Sequence, residues 1–441
     1  MYKPPFLRRI LPWLYALVFL TVAPILILYT AGYTYNLKKR VVERNGVLII
    51  DGLPKAARIS IDGVDTGKTT PYTFQTLSPG GHTVTVKKEG YSAWEKQLTI
   101  HPEQVTFAND VRLWATREPA LVLKEPIISL LSNPDETWLA TIAASSTTYE
   151  IGQWRPGRSG SYSHHPLPDT NPDVSKIIRW NLEGTSFVLN GIESASPTYW
   201  KSVEEANSVD QLPKGIYGWT SADTLVGTDD VAMTRLQVLS HRLSRQQLLP
   251  NTVFQNQDIT LQTTGTPAIL LLTKRSLQDK IYQLSHTAWR PVELFENILL
   301  LKDKTLPHWM ALNLSESRAY AGDVWGDKPR WLPTEDGTEQ PRAGVFLHGG
   351  EAWIWTPTQD PKLVWRQAEP LVDAAWAAEG GHLFLADKTH VFALELDERD
   401  GRETTLLATF DEIRSLTLFR KRLYIAAKHG SQAGVWERII E

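Results

Sequence analysis

The sequence predicts a mainly β protein: an N-terminal transmembrane helix, a small β-sandwich and a C-terminal seven- or eight-bladed β-propeller. Three observations carry this expectation. Residues 11–31 form one apolar run without a charge. Residues 46–113 alternate apolar and polar positions between Gly-containing turns, the period of half-buried strands. From residue 127 onward, short apolar strands, polar turns and aromatic-bearing strands recur with starts at 127, 175 and 215 and again at 371 and 412. That spacing is the length of a propeller blade.

The apolar run reads LPWLYALVFLTVAPILILYTA from Leu11 to Ala31. At about 1.5 Å per residue, roughly 21 residues match the ~30 Å hydrocarbon core of a bilayer. Trp13 and Tyr15 stand at one end and Tyr29, Tyr33 and Tyr35 at the other, as an aromatic belt requires. Pro24 lies inside the run, where membrane helices tolerate it. The run exceeds the ~7–15 apolar residues of a cleavable signal peptide, and Thr30-Ala31-Gly32 is a poor cleavage site. An uncleaved signal anchor over residues 11–35 is therefore expected, with the lipid bilayer as its partner. It would join a short cytoplasmic N-terminus (1–10) to a basic linker (36–45). Lys3, Arg8 and Arg9 before it nearly balance Lys38, Lys39, Arg40 and Arg44 after it, so charge leaves the direction of insertion open.

Charge also constrains the partner. Residues 1–45 carry +6, residues 46–115 are neutral, and the remainder carries −9 of a total of −3. An acidic body speaks against nucleic acid as its partner, whereas the basic end suits anionic lipid. The chain has no Cys, which excludes disulfides and thiolate metal sites.

Residues 46–115 make the small module. Val47, Ile49, Ile59 and Ile61 alternate with neighbours that face away, as do Thr83–Val86 and Gln97–Ile100. Asp51-Gly52, Asp62-Gly63, Pro79-Gly80-Gly81 and Glu89-Gly90 mark the turns, so a small antiparallel sandwich is expected. The ordered features are Pro54 through Ala57, Ile61-Asp62-Gly63, Gly67, Thr70-Pro71, Leu77-Ser78-Pro79-Gly80, His82, Val84, Val86, Gly90-Tyr91 and Trp94. In these the module resembles the PEGA domain family along nearly its whole length. The name-giving Pro-x-Gly-Ala departs from the pattern and reads Pro54-Lys55-Ala56-Ala57. The resemblance implies a bacterial, surface-associated β module that acts as a structural or adhesive spacer. It also implies a cytoplasmic N-terminus and an extracytoplasmic body in the cell envelope. Gly63–Thr69 is similar to a phosphate-binding loop but has three residues between its glycines instead of four, so a β-turn is expected there.

Residues 117–441 make the propeller. At about 40–45 residues per blade this length gives roughly seven or eight blades. The turns Asn133-Pro134-Asp135-Glu136, Asn181-Leu182-Glu183-Gly184 and Ala378-Glu379-Gly380-Gly381 resemble degenerate Pro-Asp-Gly turns of tryptophan-aspartate-type propellers. The last unit ends at Ile440 after three strands, and Ala120–Lys124 is expected to supply its missing outer strand, closing the ring.

Candidate sites are few. Trp353 and Trp355 alternate along one strand, with Trp325, Trp331, Trp365 and Trp376 nearby; the set is either a ligand-stacking cluster or inter-blade core. His164-His165 lacks a third metal ligand at a supporting spacing, and Asp397–Gly401 lacks the alternating oxygens of a calcium loop. There is no HExxH and no G-x-S-x-G elbow. No catalytic residue, metal or cofactor is expected. The function expected is a non-catalytic envelope scaffold binding a protein or a glycan. The alternative is a glycan hydrolase whose carboxylates converge in the propeller's central pocket.

Overall fold

A computed structural model of the chain describes residues 6–30, 33–36, 41–144, 148–167, 177–181, 183–190, 198–205, 209–213, 216–219, 223–228, 232–247, 252–255, 259–264, 269–274, 277–283, 289–295, 298–303, 308–313, 321–325, 329–332, 343–356 and 359–441. It divides into two compact units. One comprises Met1–Thr116 with Asp397–Thr405 and Glu441; the other comprises Arg117–Leu396 with Leu406–Ile440.

The first unit opens with helix α1 (Phe6–Thr30) and a two-stranded ribbon, β1 (Tyr33–Asn36) with β2 (Val41–Arg44). The expected membrane span requires correction. Among the described residues no helix is long and apolar enough to cross a membrane. The single-pass anchor over residues 11–35, its bilayer partner and the extracytoplasmic placement derived from it are therefore not supported.

The small module is a sandwich of two sheets. Its strands are β3 (Gly46–Leu53), β4 (Arg58–Ile61), β5 (Val64–Thr69), β6 (Tyr72–Leu77), β7 (Gly80–Lys87), β8 (Trp94–Ile100) and β9 (Val105–Arg112). One sheet is ordered β6-β3-β9 and the other β5-β4-β7-β8. Inward residues of both sheets interdigitate: Leu48 and Ile50 from β3 meet Ile59, Val84, Val86, Trp94 and Leu98. The sandwich is not wholly antiparallel, because β9 runs parallel to β3 from Val47↔Val105 to Leu53↔Arg112. The phosphate-loop look-alike lies mostly within β5, hairpinned to β4.

Two PEGA-like motifs have clear structural work. Ala56 stands at φ 59°, the left-handed region that favours glycine. Its N–H donates to the Thr70 carbonyl (2.8 Å), and the Ala57 N–H donates to Thr70 Oγ1 (3.1 Å). The buried His82 ring bridges two segments, with Nδ1 at 2.7 Å from Asp62 Oδ2 and Nε2 at 2.7 Å from the Ser78 carbonyl.

The second unit is a β-propeller. Blade 1 consists of strands Ile127–Ser132, Leu139–Ala144, Tyr149–Trp154 and Ser163–Pro166, hydrogen-bonded in chain order. Blades 2 to 7 repeat this within residues 177–212, 216–247, 252–283, 289–325, 330–366 and 371–409. Blade 8 takes three strands from the C-terminal end (Glu412–Phe419, Arg422–His429, Gln432–Ile439) and its fourth from Ala120–Leu123. The described residues thus hold eight four-stranded propeller sheets. The repeat starts read from the sequence fall within two residues of first strands in blades 1, 2, 3, 7 and 8.

Closure occurs as expected. Ala120 pairs with Glu437, Leu121 with Trp436 and Leu123 with Val435. The ladder shifts register between Leu121 and Leu123, and Gly434 sits against the shift. A Cβ on Gly434 would lie 2.2 Å from the Leu123 carbonyl oxygen, so only glycine admits the N-terminal strand there.

Two outcomes follow. Deleting residues 117–125, or making Gly434→Val, should lower the propeller's melting temperature in a circular dichroism melt; unchanged melting would refute closure by this strand. Ala56→Gly should relieve a left-handed strain of ~1–2 kcal/mol, less the ~0.4–1 kcal/mol entropy cost of glycine in the unfolded chain. A net gain of about 0.5–1 kcal/mol is expected in denaturant unfolding of the small module.

Candidate functional site

The first strands of blades 1, 7 and 8 are mostly apolar and buried, and in a propeller the first strands line the central axis. Buried there, a polar side chain must be satisfied by a neighbour. The structure meets this demand across blades. Asp373, on the first strand of blade 7, is 1% exposed and accepts five hydrogen bonds. Arg330 of blade 6 donates to it in bidentate fashion, Nε to Oδ1 (2.9 Å) and Nη2 to Oδ2 (2.8 Å). The Ala374 N–H adds a bond to Oδ1 (3.0 Å). From blade 8, Ser415 Oγ (2.6 Å) and the Leu416 N–H (3.1 Å) both donate to Oδ2. Ser415 Oγ in turn accepts the Leu130 N–H of blade 1 (3.1 Å), and Thr417 Oγ1 accepts the Ser132 N–H (3.2 Å). One continuous relay therefore ties blades 6, 7, 8 and 1.

A second device repeats around the ring. The Trp180 indole N–H donates to the Leu131 carbonyl (3.2 Å), Trp219 to Arg179 (3.2 Å) and Trp376 to Arg330 (2.8 Å). Each Trp ends the first strand of its blade, and each acceptor lies on the first strand of the preceding blade. The turn that follows is shared too. Asn133 Oδ1 accepts the Thr137 and Trp138 N–H groups (2.9 Å each), and Asn181 Oδ1 does the same for Thr185 (2.9 Å) and Ser186 (3.0 Å). Asn133 Nδ2 reaches the Gly184 carbonyl (3.1 Å), linking the turns of blades 1 and 2.

Arg179 occupies in blade 2 the place of Arg330 in blade 6, since both carbonyls receive the next blade's indole. Burial first, and the charge of Arg330 second, push the Arg179 guanidinium down to about 9.

The six tryptophans singled out in the sequence are not brought to one surface by the described contacts. Trp355 is fully buried, with Trp331 set edge-on to it (centroids 6.3 Å apart) and to Phe346 (6.2 Å). Trp376 is the inter-blade donor described above. Trp353 and Trp365 are half-buried, their N–H groups on Glu351 (2.9 Å) and Gln367 (3.1 Å). Trp325 ends the strand Ala321–Trp325, and its side chain lies outside the described residues. His164 and His165 lie on the outer strand of blade 1, with His164 Nε2 at 3.7 Å from Glu150. No group of three metal-ligating side chains occurs among the described residues. In the turn at Asp397–Gly401, the Asp397 carboxylate is held by the Arg399 guanidinium (2.8 Å).

Sequence reading missed Arg330, Asp373, Ser415 and Arg179. A signal existed: Ser129, Asp373 and Ser415 each stand four residues before the first-strand turn position, at Asn133, Ala377 and Phe419. Aligning blades on their turns exposes this polar column inside otherwise apolar strands. Chemically, the Asp373 carboxylate is occupied by its five donors, which makes the relay a clasp between blades.

Asp373→Ala leaves Arg330 buried beside a lost partner and should destabilise the propeller by roughly 3–5 kcal/mol. The double replacement Asp373→Leu with Arg330→Met should restore much of that loss. Denaturant unfolding of both variants decides this; a fully exposed or dispensable clasp would leave the single variant near wild type.

Comparison with known proteins agrees on the small module. Residues 45–113 match the family model of the PEGA domain. No curated protein matches the chain. Among solved structures, the C-terminal WD40 domain of Sif2 is 13% identical with a TM-score of 0.46, covering 74% of this chain and 99% of that one. The WD40 repeats of RRP9 are 12% identical with a TM-score of 0.47, covering 74% and 98%.

Proposed function

We propose that this chain is a non-catalytic protein-interaction scaffold, with the turn-bearing rim of the propeller as its docking face and the PEGA domain as a spacer. The observation that carries this reading is the composition of that rim. Antiparallel order places the turns between first and second strands at one end of every blade, together with those between third and fourth strands in blades 1 to 7. Contacts join these turns from blade to blade. The Arg420 N–H (2.9 Å) and its Nε (2.8 Å) donate to Glu136, and His241 stands 3.4 Å from Glu205.

The same rim carries tryptophan and arginine, two residue types enriched at protein interfaces. Arg155 stacks over the Trp138 ring at 4.2 Å, and Arg158 and Lys421 are exposed beside the mixed charges. Leu239, at the tip of its turn, is 87% exposed. A rigid ring that presents variable turns is a scaffold on which binding evolves without new core.

A photo-reactive residue placed singly at Arg158, Leu239 or Lys421 should cross-link the full chain to a protein partner in extracts of its source cells. The same residue at Lys388 or Ser431, in turns between second and third strands, should not. Cross-linking confined to the latter positions, or equal at both, would overturn the reading.

A further inference from the structure

We infer that the outer edge of blade 3 captures an extended acidic peptide as a fifth strand. The edge is Arg242–Gln247, hydrogen-bonded on one side only in the order of its sheet. Its pairing with the preceding strand runs unbroken from Ala232↔Gln247 to Gln237↔Arg242, without a bulge. Alternate N–H and C=O groups of such a strand point outward in register, which is the geometry that accepts another strand.

The other outer strands with described side chains are blunted. Ser163–Pro166 is short and ends in proline, Asp210–Leu212 has three residues, and Gln359–Arg366 carries Pro361 and two register shifts. Thr404–Thr409 is partly buried, and Ala120–Leu123 is bulged. Among outer strands with described side chains, Arg242–Gln247 is the one exposed at all six positions.

Its chemistry selects the occupant. The strand carries Arg242 and Arg245 and no acid, and Leu243 is 45% exposed between them. Side chains alternate faces, so Arg242 presents on one face while Leu243 and Arg245 present on the other. The complementary strand has an acid opposite Arg242, an apolar residue opposite Leu243 and an acid opposite Arg245. A second copy of this chain supplies no acid, because centred antiparallel pairing sets Arg242 against Gln247 and Arg245 against Ser244. The proposal goes beyond the rim reading and uses none of its residues.

Fluorescence anisotropy of the full chain with a labelled peptide, Glu-Thr-Leu-Glu embedded in Thr and Ser, tests this; paired antiparallel, its acids face Arg245 and Arg242 and its Leu faces Leu243. Saturable binding is expected, weakened about tenfold by Arg242→Glu with Arg245→Glu, and weakened less by the pair of Gln replacements. N-methylation of alternate peptide residues should abolish it, and the Lys-for-Glu peptide should not bind. An unaltered melting curve controls for folding of the variants. Absence of binding, equal binding by the charge-reversed variant, or retention by the N-methylated peptide would overturn the proposal. So would a concentration-dependent dimer that the Glu variants abolish, which would assign the edge to a second copy.

Discussion

The pairing of Ala120–Leu123 with Gln432–Ile439 is the constraint on which the propeller depends. It completes the fourth strand of blade 8 and converts a row of sheets into a ring. A row would end in a sheet face without a neighbouring blade, exposing apolar residues such as Tyr424, Ala426 and Val435. In the ring these pack with Ile127, Leu130 and Trp154 of blade 1. The register shift at Leu121/Leu123 and the missing side chain of Gly434 are the local devices that let a short strand from far upstream fit.

Around the axis, cohesion is polar where one expects oil. A buried ion pair rarely adds net stability over an apolar replacement, because two desolvated charges must be compensated. Arg330 and Asp373 meet that cost with bidentate geometry and with donors from blades 7 and 8. What such a network supplies is register. A hydrophobic contact tolerates sliding, whereas a carboxylate with five donors fixes how the first strands of blades 6, 7 and 8 stand to one another. The indole donors Trp180, Trp219 and Trp376 repeat that function at single bonds. This accounts for the tryptophan that ends the first strand of blades 2, 3 and 7.

Much of the architecture was legible because it rests on short-range signals. Turn residues such as Asn133 and Asn181 announced themselves, since an amide side chain capping its own turn is a local event. Closure was legible from arithmetic: three strands at one end and a spare one before the first unit. The direction of β9 was not, because alternation reveals a strand but not whether its distant partner β3 runs with it or against it. The role of Asp373 was hidden for a related reason. One carboxylate in an apolar strand looks like noise until strands far apart in sequence bring Arg330 and Ser415 to it. The helix near the N-terminus shows the opposite failure, where an apolar pattern was read as a membrane span that the described residues do not provide.

Closure also imposes an order in time. Ala120–Leu123 leaves the ribosome roughly 310 residues before its partner Gln432–Ile439. At about 5–20 residues per second, that strand waits on the order of half a minute with its ladder unmade. Blades can form locally as they emerge, each a meander of neighbouring strands, but the ring is completed by the pairing of greatest sequence separation. During that interval Leu121 and Leu123 belong to no sheet. A cell that makes this protein must keep one short apolar strand unengaged until Gln432–Ile439 has been made.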